Sequence, residues 1–386
     1  MFQDSQHRIV PREYAIFGGL DVDKKRMAVT FGDHGQLLQS LQMPYSSSHL
    51  INYLDKHFAG CKIALAYEVG PTGFGLYDDL TAAGYRCLVV APSMVPTAPG
   101  KRVKTNRIDS RKLCQSLRGG QLQSIHIPSE IYRELRHLVQ LRDSHVGQLK
   151  ASKQRIKALL LYEGIPFPEA PRSGQWTPRV LRELATLPCN ASVRFKLDSL
   201  LTTLAFHNQQ AVAAQKQMRL FCQKDPELAQ SISYLLTVPG LGWITSSHLV
   251  ARIGDWRELS NVRQIAGFLG LVSSEHSTGD KIDRGSITRS GDSRLRNKLI
   301  QASWSAIRKD PELREFYRRI FLRHPPKVAS RKAIVAVARK LTTRIYSVLK
   351  EQRPFEPRPQ PHSAPLTQEE TIGPRERLDA VQSAQD

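Results

Sequence analysis

Residues 15–23 read Ala15-Ile16-Phe17-Gly18-Gly19-Leu20-Asp21-Val22-Asp23. An apolar, β-prone run ends in two carboxylates. Side chains alternate along a strand, so residues two apart share a face, and Asp21 and Asp23 can point the same way. A sheet holds an acid at a strand end rigidly, which an α/β active site requires. The alternative is that both acids only start a turn. Two later stretches end the same way: Ala64-Leu65-Ala66-Tyr67-Glu68 and Asn106-Arg107-Ile108-Asp109. Three acids after three ordered elements are placed to converge on a divalent metal.

Outward from this stretch, residues 26–31 read as a second strand and Gly32-Asp33-His34-Gly35 as a hairpin turn. Residues 37–43 make a third strand before Pro44. Ser46-Ser47-Ser48 can cap a helix over 49–58. Residues 62–68 are an apolar fourth strand, broken by Gly70-Pro71-Thr72-Gly73. A helix over 74–83 closes at Gly84, and 85–91 form a fifth strand. Three antiparallel strands followed by parallel ones, with acids at strand ends, is the order of the RNase H-like fold.

Residues 92–105, with Pro92, Pro96 and Pro99, are too proline-rich for a helix. A basic run then supplies Lys101, Arg102, Lys104, Arg107, Arg111 and Lys112, a candidate phosphodiester channel beside the acids, or else a solvated face. A helix is expected over 110–117. Asp109 is placed to be its N-cap and no more, or a metal ligand.

Residues 129–162 read as one long helix with an approximately heptad apolar stripe, and 193–224 as a second. Joined by a proline-rich turn, they read as an antiparallel coiled-coil arm. The turn Val238-Pro239-Gly240-Leu241-Gly242 leads into a helix over 243–253. It resembles a helix-hairpin-helix, whose glycines (Gly240, Gly242) let backbone N–H groups approach a phosphate; a plain turn is equally compatible. Residues 270–291 read as a long polar loop within a helical region. It carries His276-Ser277-Thr278-Gly279, with Arg284, Arg289, Arg294 and Arg296 nearby. A hydroxyl there can attack phosphorus if the charge is stabilised, and arginines bind phosphate bidentately. From the residue chemistry alone, a Ser/Thr-rich loop without a covalent role is the reading the stretch favours. Helices resume at 293–307, 313–322 and 330–349. Residues 351–386, proline-rich with one aromatic, are expected to stay disordered. The expected division is 1–128, 129–228, 229–350 and a tail over 351–386.

Composition narrows the function. Of 386 residues, 40% are hydrophobic and 24% charged, as in a globular protein. No stretch approaches the roughly 20 apolar residues of a membrane span, and the N-terminus lacks a secretory apolar segment. Five separated cysteines without a CxxC pair argue for free thiols in a reducing compartment and against zinc. Lys plus Arg number 56 against 35 Asp plus Glu, a net charge of +21. Such an excess points to a polyanionic partner, and its spread along the chain fits nucleic acid better than a membrane surface.

Taken together the motifs resemble one family. Gly19-Leu20-Asp21-Val22-Asp23-Lys24-Lys25, Tyr67-Glu68-Val69-Gly70-Pro71-Thr72-Gly73 and Lys104-Thr105-Asn106-Arg107-Ile108-Asp109-Ser110 look like the N-terminal half of the DEDD transposases of the "IS one-ten" insertion-sequence family. Val238 to Gly242, Ala266-Gly267-Phe268-Leu269-Gly270-Leu271-Val272, His276 to Gly279 and Gly285-Ser286-Ile287-Thr288-Arg289-Ser290-Gly291 look like its C-terminal half. The resemblance implies a RuvC-like (RNase H fold) N-terminal domain binding Mg2+ through Asp21, Glu68, Asn106 and Asp109. It implies a helical coiled-coil linker and a mainly α C-terminal domain with a nucleophilic serine. The implied activity is transposition and site-specific DNA recombination through phosphoserine chemistry, in the bacterial cytoplasm at the nucleoid. The implied partners are element-end and target DNA, a structured noncoding guide RNA, and further copies of the chain as dimers and tetramers. Sequence choice would then rest on base pairing.

Two departures matter. The family's third motif carries an acid where this chain has Asn106, whose amide can ligate a metal but brings no charge. The family's serine directly precedes glycine, where this chain has Thr278 after Ser277. Register favours Thr278, and the less hindered primary hydroxyl favours Ser277. The alternatives are a RuvC-like Mg-dependent structure-specific nuclease and a catalytically impaired nucleic-acid-binding relic.

Overall fold

Strand β1 (Ile16–Val22) is the middle of a five-stranded sheet with β2 (Arg26–Gly32), β3 (Leu37–Pro44), β4 (Ile63–Glu68) and β5 (Arg86–Val90). Their order is β3-β2-β1-β4-β5. β1 pairs antiparallel with β2 and parallel with β4, and β4 runs parallel to β5. The computed structural model describes residues 7–96, 106–169, 175–259, 261–275 and 284–357.

The apolar run of β1 is buried on both faces because each face has a helical cover. Ile16, Leu20, Leu65, Tyr67 and Val89 meet Leu50 and Leu54 of α1 (Ser47–His57) and Leu76 and Leu80 of α2 (Gly75–Ala82). Phe17, Ala64, Ala66, Leu88 and Val90 meet Leu113, Cys114 and Leu117 of α3 (Asn106–Arg118). Each leucine so buried contributes roughly 2 kcal/mol. Helix α3 begins earlier than the expected 110, so Asp109 lies inside its first turn and is not an N-cap.

Helix α4 (Glu130–Tyr162) runs antiparallel to α6 (Ala191–Lys224). Tyr132, Leu135 and Val139 share a core with Met218 and Cys222 at one end. Ile156, Leu159 and Leu160 meet Val193, Leu197 and Leu204 at the other. Between the ends, His145 Nδ1 faces His207 Nδ1 at 3.1 Å. A helix the sequence reading omitted, α5 (Pro178–Thr186), packs Val180 and Leu184 on the far core. Pro178 starts that helix, because proline at the first helical position has no hydrogen bond to lose.

The C-terminal half is mainly helical: α7 (Pro226–Leu236), α8 (Trp243–Ile253), α9 (Val262–Phe268), α10 (Ser293–Lys309), α11 (Pro311–Phe321) and α12 (Pro326–Glu351). The stretch read as a loop over 270–291 contains a two-stranded antiparallel ribbon, β6 (Ser273–Glu275) and β7 (Arg284–Ile287). The expected disorder from 351 onward is also corrected over the described part. Phe355 N donates to Thr237 Oγ1 at 2.7 Å, and the Arg344 guanidinium lies over the Phe355 ring.

Candidate functional site

Parity along β1 and β4 decides where the first two acids point. Asp21 shares its face with Phe17 and Gly19, and Glu68 shares its face with Ala64 and Ala66. Those apolar residues form the core under α3. The register pairs Leu20 with Tyr67, so Asp21 and Glu68 follow as neighbours on adjacent parallel strands. Both are half-buried.

Helix α3 runs back along β1. Near its end, Arg118 Nη1 donates to Asp33 O in the β2–β3 turn, and Cys114 Sγ donates to Phe17 O. Ser110 lies over Gly19. A Cβ on Gly19 would stand 2.1 Å from Ser110 O and 2.3 Å from Cys114 N. The first turn of α3, with half-buried Asp109, therefore arrives at the strand end where Asp21 and Glu68 sit. Asp21 and Glu68 share one face and one end of the sheet, and the first turn of α3 arrives at that end. Asp23 is not among them in role. Its carboxylate accepts from Lys24 N at 2.7 Å and its N donates to Arg26 O, so it builds the β1–β2 turn.

The donor chemistry suits a hard divalent cation: three carboxylates, with no sulfur or imidazole among them. Among the described residues, no three His, Cys, Asp or Glu side chains stand close enough to hold an ion together. The Asn106 side chain lies outside the described residues, as do Lys101, Arg102, Lys104 and the Arg107 side chain. Arg111 is exposed and Lys112 half-buried.

Ser277 and Thr278 also lie outside the described residues, in the segment that β6 and β7 bracket. The base of that ribbon is well defined. Thr288 N donates to Val272 O, Arg289 N to Gly270 O and Asp292 N to Phe268 O. Gly270 and Gly291 close the base in the left-handed region, at φ 62 and 117. A Cβ on Gly270 would stand 2.4 Å from Ser290 O. Arg296 differs from the phosphate contact expected of it. It is buried, and its Nη1 donates to Leu269 O at 2.8 Å and to Arg289 O at 3.3 Å. Arg289 and Arg294 are exposed, and the Arg284 side chain is not described. Gly240 is likewise turned inward. At φ 90 it lies against α10, where a Cβ would be 2.5 Å from Ala302 O. Gly242, by contrast, is the open N-cap of α8, with nothing near its Cβ position.

Sequence reading missed a half-buried polar cluster, with His248 fully inside, that ties α4 to this half. Asp143 of α4 accepts from His248 of α8 and from Lys298 of α10. Arg142 Nη1 also donates to Asp143 Oδ1 at 3.2 Å. Arg136 donates to Ala251 O and Arg252 O at the end of α8. The acids belong to the sheet's cores, and the ribbon springs from the helical core that holds Leu269, Leu271 and Leu295.

The sheet order, with acids at the ends of its two central parallel strands, defines an RNase H-like domain. A family model described as "Transposase", of the DEDD IS110 type, matches residues 18–163. A second, "Transposase IS116/IS110/IS902 family", matches residues 232–318. The putative transposase y4qE of Sinorhizobium fredii is 31% identical over 323 residues, 82% of this chain and 74% of the relative. The transposase for insertion sequence element IS1328 of Yersinia enterocolitica is 27% identical over 291 residues, 74% of this chain and 82% of the relative. The pilin gene-inverting protein of Moraxella bovis is 33% identical over 135 residues, 34% of this chain and 41% of that protein. The chain belongs to the IS110 family of insertion-sequence transposases and is a DNA transposase/recombinase. Among the described residues, no helix is long and apolar enough to cross a membrane.

Proposed function

We propose that this enzyme cuts and rejoins DNA at an insertion sequence by metal-supported hydroxyl attack on phosphorus, within the bacterial cytoplasm at the nucleoid. The observation that carries the reading is the shared face and shared end of Asp21, Glu68 and the first turn of α3. Asp21, Glu68 and Asp109, with Asn106, are the residues that would hold Mg2+, which when bound would offset the charge developing on the scissile phosphate. The basic run from Lys101 to Lys112 would hold the backbone beside them.

The hydroxyl of Ser277 or Thr278 is the proposed nucleophile. Its oxygen bonds to phosphorus, a DNA hydroxyl leaves with the proton, and a DNA hydroxyl later attacks the phosphoester to restore the free side chain. No net hydrolysis occurs. Arg289 and Arg294, exposed beside the ribbon's base, are the described candidates for phosphate contact.

The division proposed is 1–128, 129–228, 229–350 and a tail over 351–386, the second part being a coiled-coil arm for dimers and tetramers. Large apolar side chains left in solvent where α4 ends and α6 begins support that role: Leu161 is 83%, Tyr162 88% and Phe195 79% exposed. Because acids and ribbon grow from different cores, a complete centre assembled from two copies is the arrangement proposed. A structured guide RNA is proposed to choose the DNA sites, supported by the net charge of +21.

The test is covalent trapping. The full chain, with RNA from the element's flanks and nicked junction DNA, is incubated with Mg2+ and denatured. An adduct mapped to Ser277 or Thr278 is the expected result. Metal-dependent cleavage without an adduct would favour a hydrolytic nuclease, and neither product would favour a binding-only relic, the outcome to which the amide at Asn106 would contribute.

A further inference from the structure

The helical half holds a cleft of about 830 Å³ that none of the proposed catalytic residues lines. That volume is within the range of small-molecule sites. Residues of α9, α11 and α12 line it, together with Val272 and the short run from Arg353 to Pro357. Ala266, Val272, Phe316, Val348 and Phe355 make much of the lining apolar. Phe316 and Phe355 pack on the helical core, and Lys340 and Arg344 lie over their rings, so both rings are held in place.

The charged groups of the lining fall into two sets. Lys340 and Arg344 each meet Glu312 at 2.7 Å. Arg353 meets Glu351 and Glu356. These three cations balance the three carboxylates of the lining. Arg263 of α9 and Arg339 of α12 are exposed and form no ion pair among the described residues. The cleft therefore keeps two uncompensated guanidinium groups beside an apolar surface. An inorganic anion would leave the apolar surface unused, and a purely apolar ligand would leave the arginines unused. A nucleotide uses both. Guanidinium groups take phosphate bidentately, and an unstacked base is covered by aromatic and apolar side chains.

Val272 ties the cleft to the ribbon. Its side of the lining is continuous with the ribbon's base, where Val272 O accepts from Thr288 N. Ala266, also in the lining, accepts from Leu271 N, and β6 starts at the residue after Val272. Cleft and ribbon thus share one stretch of backbone.

We infer that the cleft receives one unstacked nucleotide of the DNA strand that the ribbon engages, with its base on the apolar lining and its phosphate at Arg263 and Arg339. The captured nucleotide fixes the strand's register, and so sets which phosphate the ribbon's hydroxyl meets. This rests on the hydroxyl-attack reading above.

The full chain is titrated with two short DNA strands of equal length by fluorescence anisotropy. One is abasic throughout, and the other carries a single central adenine. The parent is expected to bind the single-base strand about tenfold tighter, as one stacked base contributes elsewhere. Thr343→Trp fills the cleft from an exposed position on α12 and keeps every charge. It should bind both strands alike, at the parental affinity for the abasic one. Arg339→Ala should lower the salt slope for the single-base strand by about 1. Thermal melts check folding, and Ser347→Trp takes the place of Thr343→Trp if that variant does not fold.

A folded tryptophan variant that keeps the tenfold preference puts the base elsewhere and overturns the inference. Equal binding of the two strands by the parent overturns it too. In either case salt-dependent binding of the abasic strand leaves the nucleic-acid reading standing, and only a parent that binds neither strand removes both. Adenosine monophosphate binding as tightly as the single-base strand would make the ligand a free nucleotide. A preference seen only with ribose strands would make it RNA. Both of these results overturn the assignment to a DNA strand.

Discussion

His248 meets Asp143 across 105 residues of sequence, with its Nε2 3.1 Å from each carboxylate oxygen. Its other ring nitrogen, Nδ1, faces Ile244 O at 2.6 Å. Both ring nitrogens thus face oxygen acceptors. One half-buried carboxylate thus anchors side chains from three helices, Arg142 on α4, His248 on α8 and Lys298 on α10.

Burial pushes the Asp143 carboxyl up, but hydrogen bonds and charge from His248 and Lys298 outweigh it and hold it well below the usual carboxylate range. Burial likewise pulls the Lys298 ammonium down, more than Asp143 raises it. An acid depressed on folding contributes stability above its unfolded pKa of about 3.9, and loses it as pH falls toward the folded value. Asp143→Ala leaves Arg142 and Lys298 without their carboxylate and is expected to cost about 3 kcal/mol at pH 7. Thermal melts from pH 3 to 7 check this. The parent should lose stability toward acid, and the variant should lose less across the same range. Parallel slopes would remove Asp143 from the account.

Gly240 and Gly242 stand two residues apart in one turn and should respond oppositely. Gly240→Ala forces a Cβ against Ala302 O and Ala306 at φ 90 and is expected to destabilise the helical half by about 2 kcal/mol or more. Gly242→Ser should leave stability within about 0.5 kcal/mol, because Ser is an accepted N-cap and the position is open. Chemical unfolding distinguishes them.

Arg294 and Arg296 provide a second contrast. Arg294→Ala should weaken DNA or RNA binding at all sequences and lower the salt slope by about 1. Arg296→Ala should instead loosen the ribbon's base, since its guanidinium holds the Leu269 and Arg289 carbonyls. Protease sensitivity near residues 270–291 is the readout. Equal salt slopes in the parent and Arg294→Ala would exclude a phosphate contact there.

Asp21→Asn keeps the shape of the β1 end and removes one charge from the proposed metal set. Strand cleavage is expected to fall by about a thousandfold, as several kcal/mol of transition-state stabilisation is lost. A thermal melt of the variant separates lost chemistry from lost folding. A variant with parental cleavage rates would contradict the metal reading.

The sheet was legible because each strand alternates or runs apolar between clear turn residues, as in Asp33-His34-Gly35. The start of α3 was not, because Asp109 resembles an N-cap when read without the three helical residues, Asn106 to Ile108, that precede it. Pro178 belonged to the stretch read as a proline-rich turn and is a helix start. The β6–β7 ribbon escaped because three- and four-residue strands of Ser, Gly and Arg carry no apolar period. Asp143 offered one usable signal, an acid close to the apolar stripe of α4. Its partners His248 and Lys298 come from other helices, and no spacing rule links them. Arg296 and Gly240 show the converse: residue types suited to phosphate are used inside the fold, where only burial reveals it.

Helix α4 is gripped twice within its first half, at Arg133 by Asp78 of the sheet half and at Asp143 by His248 and Lys298 of the other. Each intervening residue turns the axis by about 100° and advances it 1.5 Å. The segment between the grips therefore acts as a dial, in which residue count is an angle. Substitutions there, even of the buried Leu135 and Val139, leave that angle alone. One inserted or deleted residue would swing one half of the enzyme about a third of a revolution against the other, so this is the stretch in which chain length itself carries information.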